Sequence, residues 1–559
     1  MSWKIKERYR AILAAEEGSS ARNWGGKLTV CLVYPNHYAT AMGNLGFQAV
    51  YAFINSFPGA VCERAFLPPD AEMTEYSRSG SRLLSLESQR PLTDFDVVAF
   101  SVSFENDYLN IAKILELAGI PPFSADRSSS FPLLIAGGAA LFLNPEPVAD
   151  LLDLVCVGEA EPMLPPLLGL MREEEGTGRR ELLLKASRMP GIYVPGLYRY
   201  SYSGCRVTAI DNHPSAGMPV RRVFHSDLGQ SAVTSTLFAP DIEFADMYLI
   251  EVSRGCPRGC RFCAAGFIYH PYRHRPLELL RAEAARGLSL KRRIGLVGAA
   301  VSDHPDLGEL CRWISDRGGK VSVSSLRIDA LDDALLDVLH SSGHKTVALA
   351  PEGGSQRLRD LIRKGINEQQ ILDACDRLIG RDILNLKLYF IVGLPTETMG
   401  DLEEMVSLIG KIRERVVTAA RKNRRLGSIL LSVNPFIPKP FTPFQWCGME
   451  RLASLEKKYA FLRRAAGKLS NVKIQMESLR EAYLQALLSR GDRRLGAFLV
   501  KAGETENWKR AARELSIDTD ALVHRNIPLD EVLPWDIIDG GCREKLLSEY
   551  GKALGGEEG

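Results

Sequence analysis

Nowhere among the 559 residues is there an apolar run of about 18 or more, the length a membrane-spanning helix requires, so no span is expected. The N-terminus lacks an uncharged apolar segment as well. MSWKIKERYRAILAAEEG mixes charged and apolar residues at helical spacing, which argues against a secretory signal and for a helical segment over residues 1–26 of a cytoplasmic protein. Charge of one sign is also missing: 70 Lys and Arg face 68 Asp and Glu, so no global field draws the chain to nucleic acid or an anionic membrane. Composition therefore gives no membrane partner and leaves nucleic acid undecided. There is no repeat or low-complexity tract, and 45% hydrophobic with 25% charged residues excludes disordered, collagen-like and coiled-coil classes. A disulfide framework is absent too. Of 11 cysteines, eight are scattered (Cys31, Cys62, Cys156, Cys205, Cys311, Cys375, Cys447 and Cys542) and read as reduced, mostly buried apolar residues.

What the chain does contain is short β-rich runs alternating with helical ones. KLTVCLVY (27–34), DVVAFSVS (96–103), PLLIAGG (132–138) and LDLVCVG (152–158) suit strands buried on both faces of a parallel sheet. DYLNIAKILELAG between them has helical spacing and a C-terminal stop at Gly119. Residues 27–190 are thus expected to form a doubly wound, Rossmann-like α/β domain that binds its ligand outside the carboxyl ends of the strands. Residues 191–246, rich in Gly, Pro, Ser and Tyr, read as an irregular linker with one or two hairpin strands.

A second alternation follows in residues 247–475. MYLIEV, IGLVGA, KVSVSSL, TVALAPE, LKLYFIVGLP and SILLSVNPF are six strands separated by helical stretches, the pattern of a partial (βα)6 TIM-like barrel with its chemistry on the loops after the strands. Residues 476–559 read as a charged helical region, with LPWD as an irregular anchor.

One cysteine group is organised. SRGCPRGCRFCAAG places Cys256, Cys260 and Cys263 as Cys-x3-Cys-x2-Cys directly after the first barrel strand. A closed zinc site would need a fourth ligand, for which His270 or His274 is near enough in sequence. Iron–sulfur clusters are held by one thiolate per iron, so three thiolates on a four-iron cube leave one iron open to a chelating molecule. Both readings stand on spacing alone.

CPRGCRFC, with Phe262 before the last cysteine, resembles the signature of the radical S-adenosylmethionine superfamily. The resemblance implies a 4Fe-4S cluster on Cys256, Cys260 and Cys263. Its open iron would chelate S-adenosylmethionine, and reductive cleavage would yield methionine and a 5'-deoxyadenosyl radical. An electron donor such as ferredoxin or flavodoxin is implied with it. Later segments resemble the same superfamily: backbone around Ile391 and Gly393 in YFIVGLPTET for the adenine, Glu352 for the ribose, Ser324 and Arg327 for ribose and carboxylate. The chain departs from the pattern at the second strand, where LVGAAVSDHP offers Gly298 alone and no acid before Asp303, so the contact to the amino group is left open.

The first domain resembles the cobalamin-binding-type domain that precedes the barrel in one large class of these enzymes. On that resemblance Ser101, Ser103, Gly137, Gly138, Gly158 and Glu159 would surround cobalamin. The Asp-x-His-x-x-Gly signature of a lower axial ligand is missing, and His37 does not supply it. The class implies radical methylation of an unactivated carbon. The alternatives are cyclisation, rearrangement or sulfur insertion without methyl transfer, a first domain that binds nothing, and a non-catalytic iron–sulfur protein. The likeness covers almost the whole chain, including GIYVPGLY, VNPFIPKPFTPFQW, RGDRRLG and PLDEVLPWD, and names no substrate.

Overall fold

A computed structural model describes the chain except residues 1, 2, 20, 21, 291, 325, 424, 542 and 556–559. Cys542 therefore lies outside the described residues. The first domain is built on six strands: β1 (Leu28–Tyr34), β2 (Ala60–Phe66), β3 (Val97–Ser101), β4 (Leu133–Gly137), β5 (Leu154–Cys156) and β6 (Ile192–Tyr193). Their order is β2-β1-β3-β4-β5-β6, parallel except for the last. This is a doubly wound order whose direction reverses between β1 and β3, the place where such sheets leave a ligand crevice. Helix Tyr108–Ala118 ends, as its sequence predicts, on Gly119 in the left-handed conformation.

Strand β2 has no counterpart among the sequence-predicted strands. Its run AVCERAF carries Glu63 and Arg64 at its centre, yet every residue in it is buried. Arg64 is fully enclosed and lies 2.7 Å from both Glu16 and Glu87, so long-range ion pairs make an interior strand out of a charged sequence.

The linker forms a hairpin, β7 (Tyr198–Ser203) and β8 (Arg206–Asn212), and a short β9 (Val220–Arg221). The barrel begins at β10 (Met247–Glu251), followed by the two-residue β11 (Ser253–Arg254) and β12 (Arg273–His274), then β13 (Arg293–Val297) and β14 (Val321–Val323). β10, β13 and β14 make one parallel sheet; β15 (Thr346–Glu352), β16 (Asn385–Val392), β17 (Ile429–Pro435) and β18 (Val472–Met476) make another. Helices such as Leu277–Ser289 and Glu368–Ile379 follow the strands, as a βα barrel requires. The arc runs one strand beyond the six that the sequence announces. VKIQM in β18 is an edge strand, only half-buried, and lacks the apolar run of the others.

The C-terminal region is helical and returns to both domains. Helix Leu495–Thr505 packs on Tyr108–Ala118, and β19 (Ile538–Asp539) pairs with β9 in the linker. Arg493 of RGDRRLG bonds Glu146 at 2.9 Å, while Asn144 bonds the backbone of Ser489 and Gly491. Trp535 of LPWD is buried, its indole N–H donating to Gln445 at 2.8 Å. Among the described residues no helix is long and apolar enough to cross a membrane.

Candidate active site

The cysteine loop leaves the barrel at β11 and returns at β12, closed by an antiparallel ladder of two rungs, Ser253 opposite His274 and Arg254 opposite Arg273. Gly255 opens the loop at φ +84°, and a side chain there would run into the Tyr269 carbonyl oxygen. That position needs glycine on both counts. The stretch holding the thiols is sewn to the barrel mouth: the Arg261 N–H donates to the Ile362 carbonyl at 3.0 Å, and the Arg261 carbonyl accepts from Phe444 at 3.3 Å.

The three thiols are free and part-buried. Burial pushes the Cys260 thiol above its ordinary value, against the nearby positive charges of Lys364 and Arg327. Burial, then the neighbouring Cys260, pushes Cys263 up to about 11. The thiols thus lie within one another's field, with cations at hand for a site that becomes anionic once they are deprotonated. Among the described residues no three His, Cys, Asp or Glu side chains, these thiols included, close around a single ion. His274 stands exposed, edge-on to His304 with ring centroids 5.0 Å apart.

The expected S-adenosylmethionine residues divide into two groups. Glu352 acts on both Cys260 and Cys263, sits at φ +64°, and lies 3.3 Å from Lys364. Burial raises its pKa, and Lys364 opposes the rise. A non-glycine residue in the left-handed region at a strand end is the kind of strain that functional sites keep. Phe262 and Ile391 pack against one small apolar cluster that includes Leu358 and Phe436, which brings the cysteine motif and the fifth-strand motif together. Ser324 is exposed at the end of β14.

Arg327 and Gly393 are committed to partners within the chain. The Arg327 guanidinium forks onto Asp329 with two 3.0 Å bonds. Gly393, at φ +83°, donates its N–H to Glu397 at 2.7 Å, so the amide expected to face adenine is already paired. Gly298 leaves room for Ser253, whose Oγ would stand 2.9 Å from an added Cβ.

Beside Cys256 lies a buried polar group, Ser253 Oγ, Tyr272 OH and Asp303 Oδ2, with no hydrogen-bond partner outside the group itself, Ser253 and Tyr272 acting on each other. Tyr272 lies next to Ser253 and within the field of Asp303 and Cys256. Asp303 uses its other oxygen on Arg258 of the cysteine motif, at 2.5 Å, and Oδ2 itself is 3.8 Å from Arg327. Buried polar atoms with so few partners are costly unless a ligand completes them. Three thiols, an enclosed carboxylate and these open polar atoms fit an iron–sulfur cluster with a polar chelator bound to it. Sequence reasoning missed Tyr272 and Lys364, because nothing in PYRHRP or LIRKGI separates them from ordinary surface residues.

In the first domain, Ser101, Ser103 and Gly137 are part-exposed at the ends of β3 and β4. Ser103 Oγ accepts from Asn44, which lines a cavity of about 330 Å3 with Tyr34, Thr40, Phe104 and Glu243 at the β1–β3 switch point. Asp107 Oδ2 and Asn106 Oδ1 are buried without hydrogen bonds on the loop after β3, and burial lifts the Asp107 pKa to about 6. Gly138, at φ +118°, lies against the Val102 backbone. Gly158, at φ +137°, lies against the Val223 backbone of the linker, with which it bridges. Glu159, expected at a cofactor's edge, instead turns to Arg254 at 2.7 Å and Arg273 at 2.8 Å. Burial works to raise its pKa, but those two arginines outweigh it and hold the carboxyl below its ordinary value.

Residues 46–195 match the family described as radical SAM proteins, N-terminal, and residues 250–409 match the radical SAM superfamily. An uncharacterized protein of Methanocaldococcus jannaschii is 30% identical over 475 residues, 84% of this chain and 90% of the relative. The tRNA-2-methylthio-N(6)-dimethylallyladenosine synthase of Hahella chejuensis is 29% identical over 190 residues, 31% of this chain and only 42% of that enzyme. Among solved structures, the cobalamin-dependent S-adenosylmethionine radical enzyme OxsB aligns at 13% identity and a TM-score of 0.46, over 94% of this chain and 84% of that one. The chain belongs to the radical S-adenosylmethionine superfamily, and that membership implies a 4Fe-4S cluster and S-adenosylmethionine as cofactors.

Proposed function

We propose that Cys256, Cys260 and Cys263 hold the 4Fe-4S cluster and that the enzyme methylates an unactivated carbon with cobalamin carried by the first domain. The observation that carries the radical reading is the part-buried thiol loop at the barrel mouth, flanked by Glu352 and by the buried polar group of Ser253, Tyr272 and Asp303. When bound, the cluster supplies one electron for cleavage of S-adenosylmethionine, and cobalamin supplies a transferable methyl group. The chain's own part is to bind and shield. Glu352 accepts from the ribose hydroxyls, and the Phe262 and Ile391 cluster keeps water from the adenine side. The amino group, for which the second strand has no acid, is met by Asp303 Oδ2 with Ser253 and Tyr272 beside it. Ser101, Ser103 and Gly137 form the cobalamin edge of the first domain, a smaller set than the six residues the sequence suggested. Sulfur insertion finds less support: Cys31, Cys62 and Cys156 are buried, and burial raises each thiol's pKa.

The test is anaerobic purification with iron, sulfide and cobalamin analysis, followed by a deoxyadenosine assay under reductant. About one equivalent of cobalamin with deoxyadenosine formed is expected. Cobalamin well below one equivalent after reconstitution would leave radical chemistry without methyl transfer. Asp303→Asn should weaken S-adenosylmethionine binding about tenfold or more, as loss of a charged hydrogen bond does, at unchanged iron content. Unaltered affinity in equilibrium dialysis would remove Asp303 from the amino-group site.

A further inference from the structure

The rung that closes the cysteine loop has a physical problem. Arg254 and Arg273 stand directly opposite each other on β11 and β12, and like charges opposed across a ladder destabilise it. Both are nearly buried, their side chains 12% and 9% exposed, so water screens little of the repulsion. One carboxylate from another domain lies between them. Glu159 Oε1 accepts from Arg273 at 2.8 Å, and Oε2 accepts from Arg254 at 2.7 Å, Arg273 at 3.0 Å and the His225 backbone at 2.9 Å. Glu161 and Glu251 also hold Arg254, each at 2.9 Å, but Arg273 takes its carboxylate bonds from Glu159.

Glu159 is itself fixed. Its backbone N–H donates to the Val223 carbonyl, and the preceding Gly158 allows the linker to run against the end of β5. A rigid strand end of the first domain thus presents one charge to the base of a loop whose thiols begin two residues after Arg254.

We propose that Glu159 is a positioning residue for the cysteine loop: through it the first domain neutralises the Arg254–Arg273 rung and so fixes the base on which Cys256, Cys260 and Cys263 are carried. The consequence for catalysis rests on the radical reading above, whereas the consequence for loop order does not. An immobile loop base keeps the thiols spaced for one cluster geometry, which is the usual contribution of residues just outside a metal's ligands.

The experiment compares full-length wild type, Glu159→Gln and Glu159→Asp by amide hydrogen exchange without cluster, then by electron paramagnetic resonance of the reduced cluster with S-adenosylmethionine. In the Gln variant, exchange over residues 255–272 should speed about tenfold, the worth of a charge-assisted bond lost at the rung, while strand 97–101 keeps its protection. The resonance should broaden or shift, and the Asp variant, which keeps the charge, should recover part of both effects. Unchanged exchange in the loop would overturn the proposal. So would equal acceleration in strand 97–101, since that marks general loss of the domain. Loop acceleration with no cluster in any of the three proteins would support the role of Glu159 and count against the radical reading alone.

Discussion

Replacing any one of Cys256, Cys260 or Cys263 with Ala should reduce deoxyadenosine formation to background and strip iron from the reconstituted protein. With one thiolate per iron, two remaining ligands leave two irons of the cube bare, and the cluster loses the protein's hold. The fold should survive the change. The three thiols are part-exposed on a loop whose shape depends on Gly255, the rung at its base and the backbone bonds of Arg261, none of which uses sulfur. Thermal unfolding without cluster should therefore stay close to that of wild type, within the small range of surface substitutions. Cys375→Ala is the contrasting case. Cys375 is fully buried on helix Glu368–Ile379, and burial pushes its thiol to about 12. Its loss should cost packing energy and leave iron and cleavage intact. Cleavage surviving in any of the three loop variants would sink the cluster assignment.

The sequence carried the parts of this arrangement that are local. Runs such as DVVAFSVS and PLLIAGG announce interior strands because both faces are apolar, and the cysteine spacing marks the site within eight positions while leaving zinc and iron–sulfur both open. Parts set by distant partners were not legible. Nothing in AVCERAF says that Glu16 and Glu87 will neutralise Arg64. Gly158 and Glu159 resemble a ligand's edge in sequence, since a glycine before an acid at a strand end looks the same whether it receives a cofactor or the linker at Val223. Gly393 shows the same limit, for its partner Glu397 lies four residues on but is held in place by Lys458 from the distant helix Leu452–Ala466. Ser253 and Tyr272 stand at the two ends of the cysteine loop and Asp303 follows the next barrel strand, and only folding makes them one patch.

The largest stability loss is expected from Lys458→Met. Lys458, on helix Leu452–Ala466, is 6% exposed, with its ammonium 2.8 Å from Glu397 and 2.7 Å from Glu450. Glu397 is fully enclosed; one oxygen takes the Gly393 N–H and the lysine, and the other has no hydrogen-bond partner. Burial already raises the Glu397 pKa, with Lys458 opposing the rise. Without the lysine, an unpaired buried carboxylate is left beneath the fifth-strand turn, a loss of about 3–5 kcal/mol in denaturant unfolding near neutral pH. The pH dependence has a definite sign. A carboxyl whose pKa is raised on folding favours the protonated folded state, so stability is lost as pH climbs from the unfolded value, about 4.3, through the folded one. The variant's deficit should therefore shrink on acidification and reach its full size only above the raised pKa. Glu397→Gln combined with Lys458→Met removes both charges while leaving an amide oxygen for Gly393, and should recover most of the loss at neutral pH, as neutral replacement of buried pairs commonly does. Because Gly393 and Ile391 share this turn, the single variant should also bind S-adenosylmethionine more weakly and the double variant should regain it. A single-variant loss below about 1 kcal/mol, the range of exposed pairs, would show that the Glu397–Lys458 pair does not hold the turn.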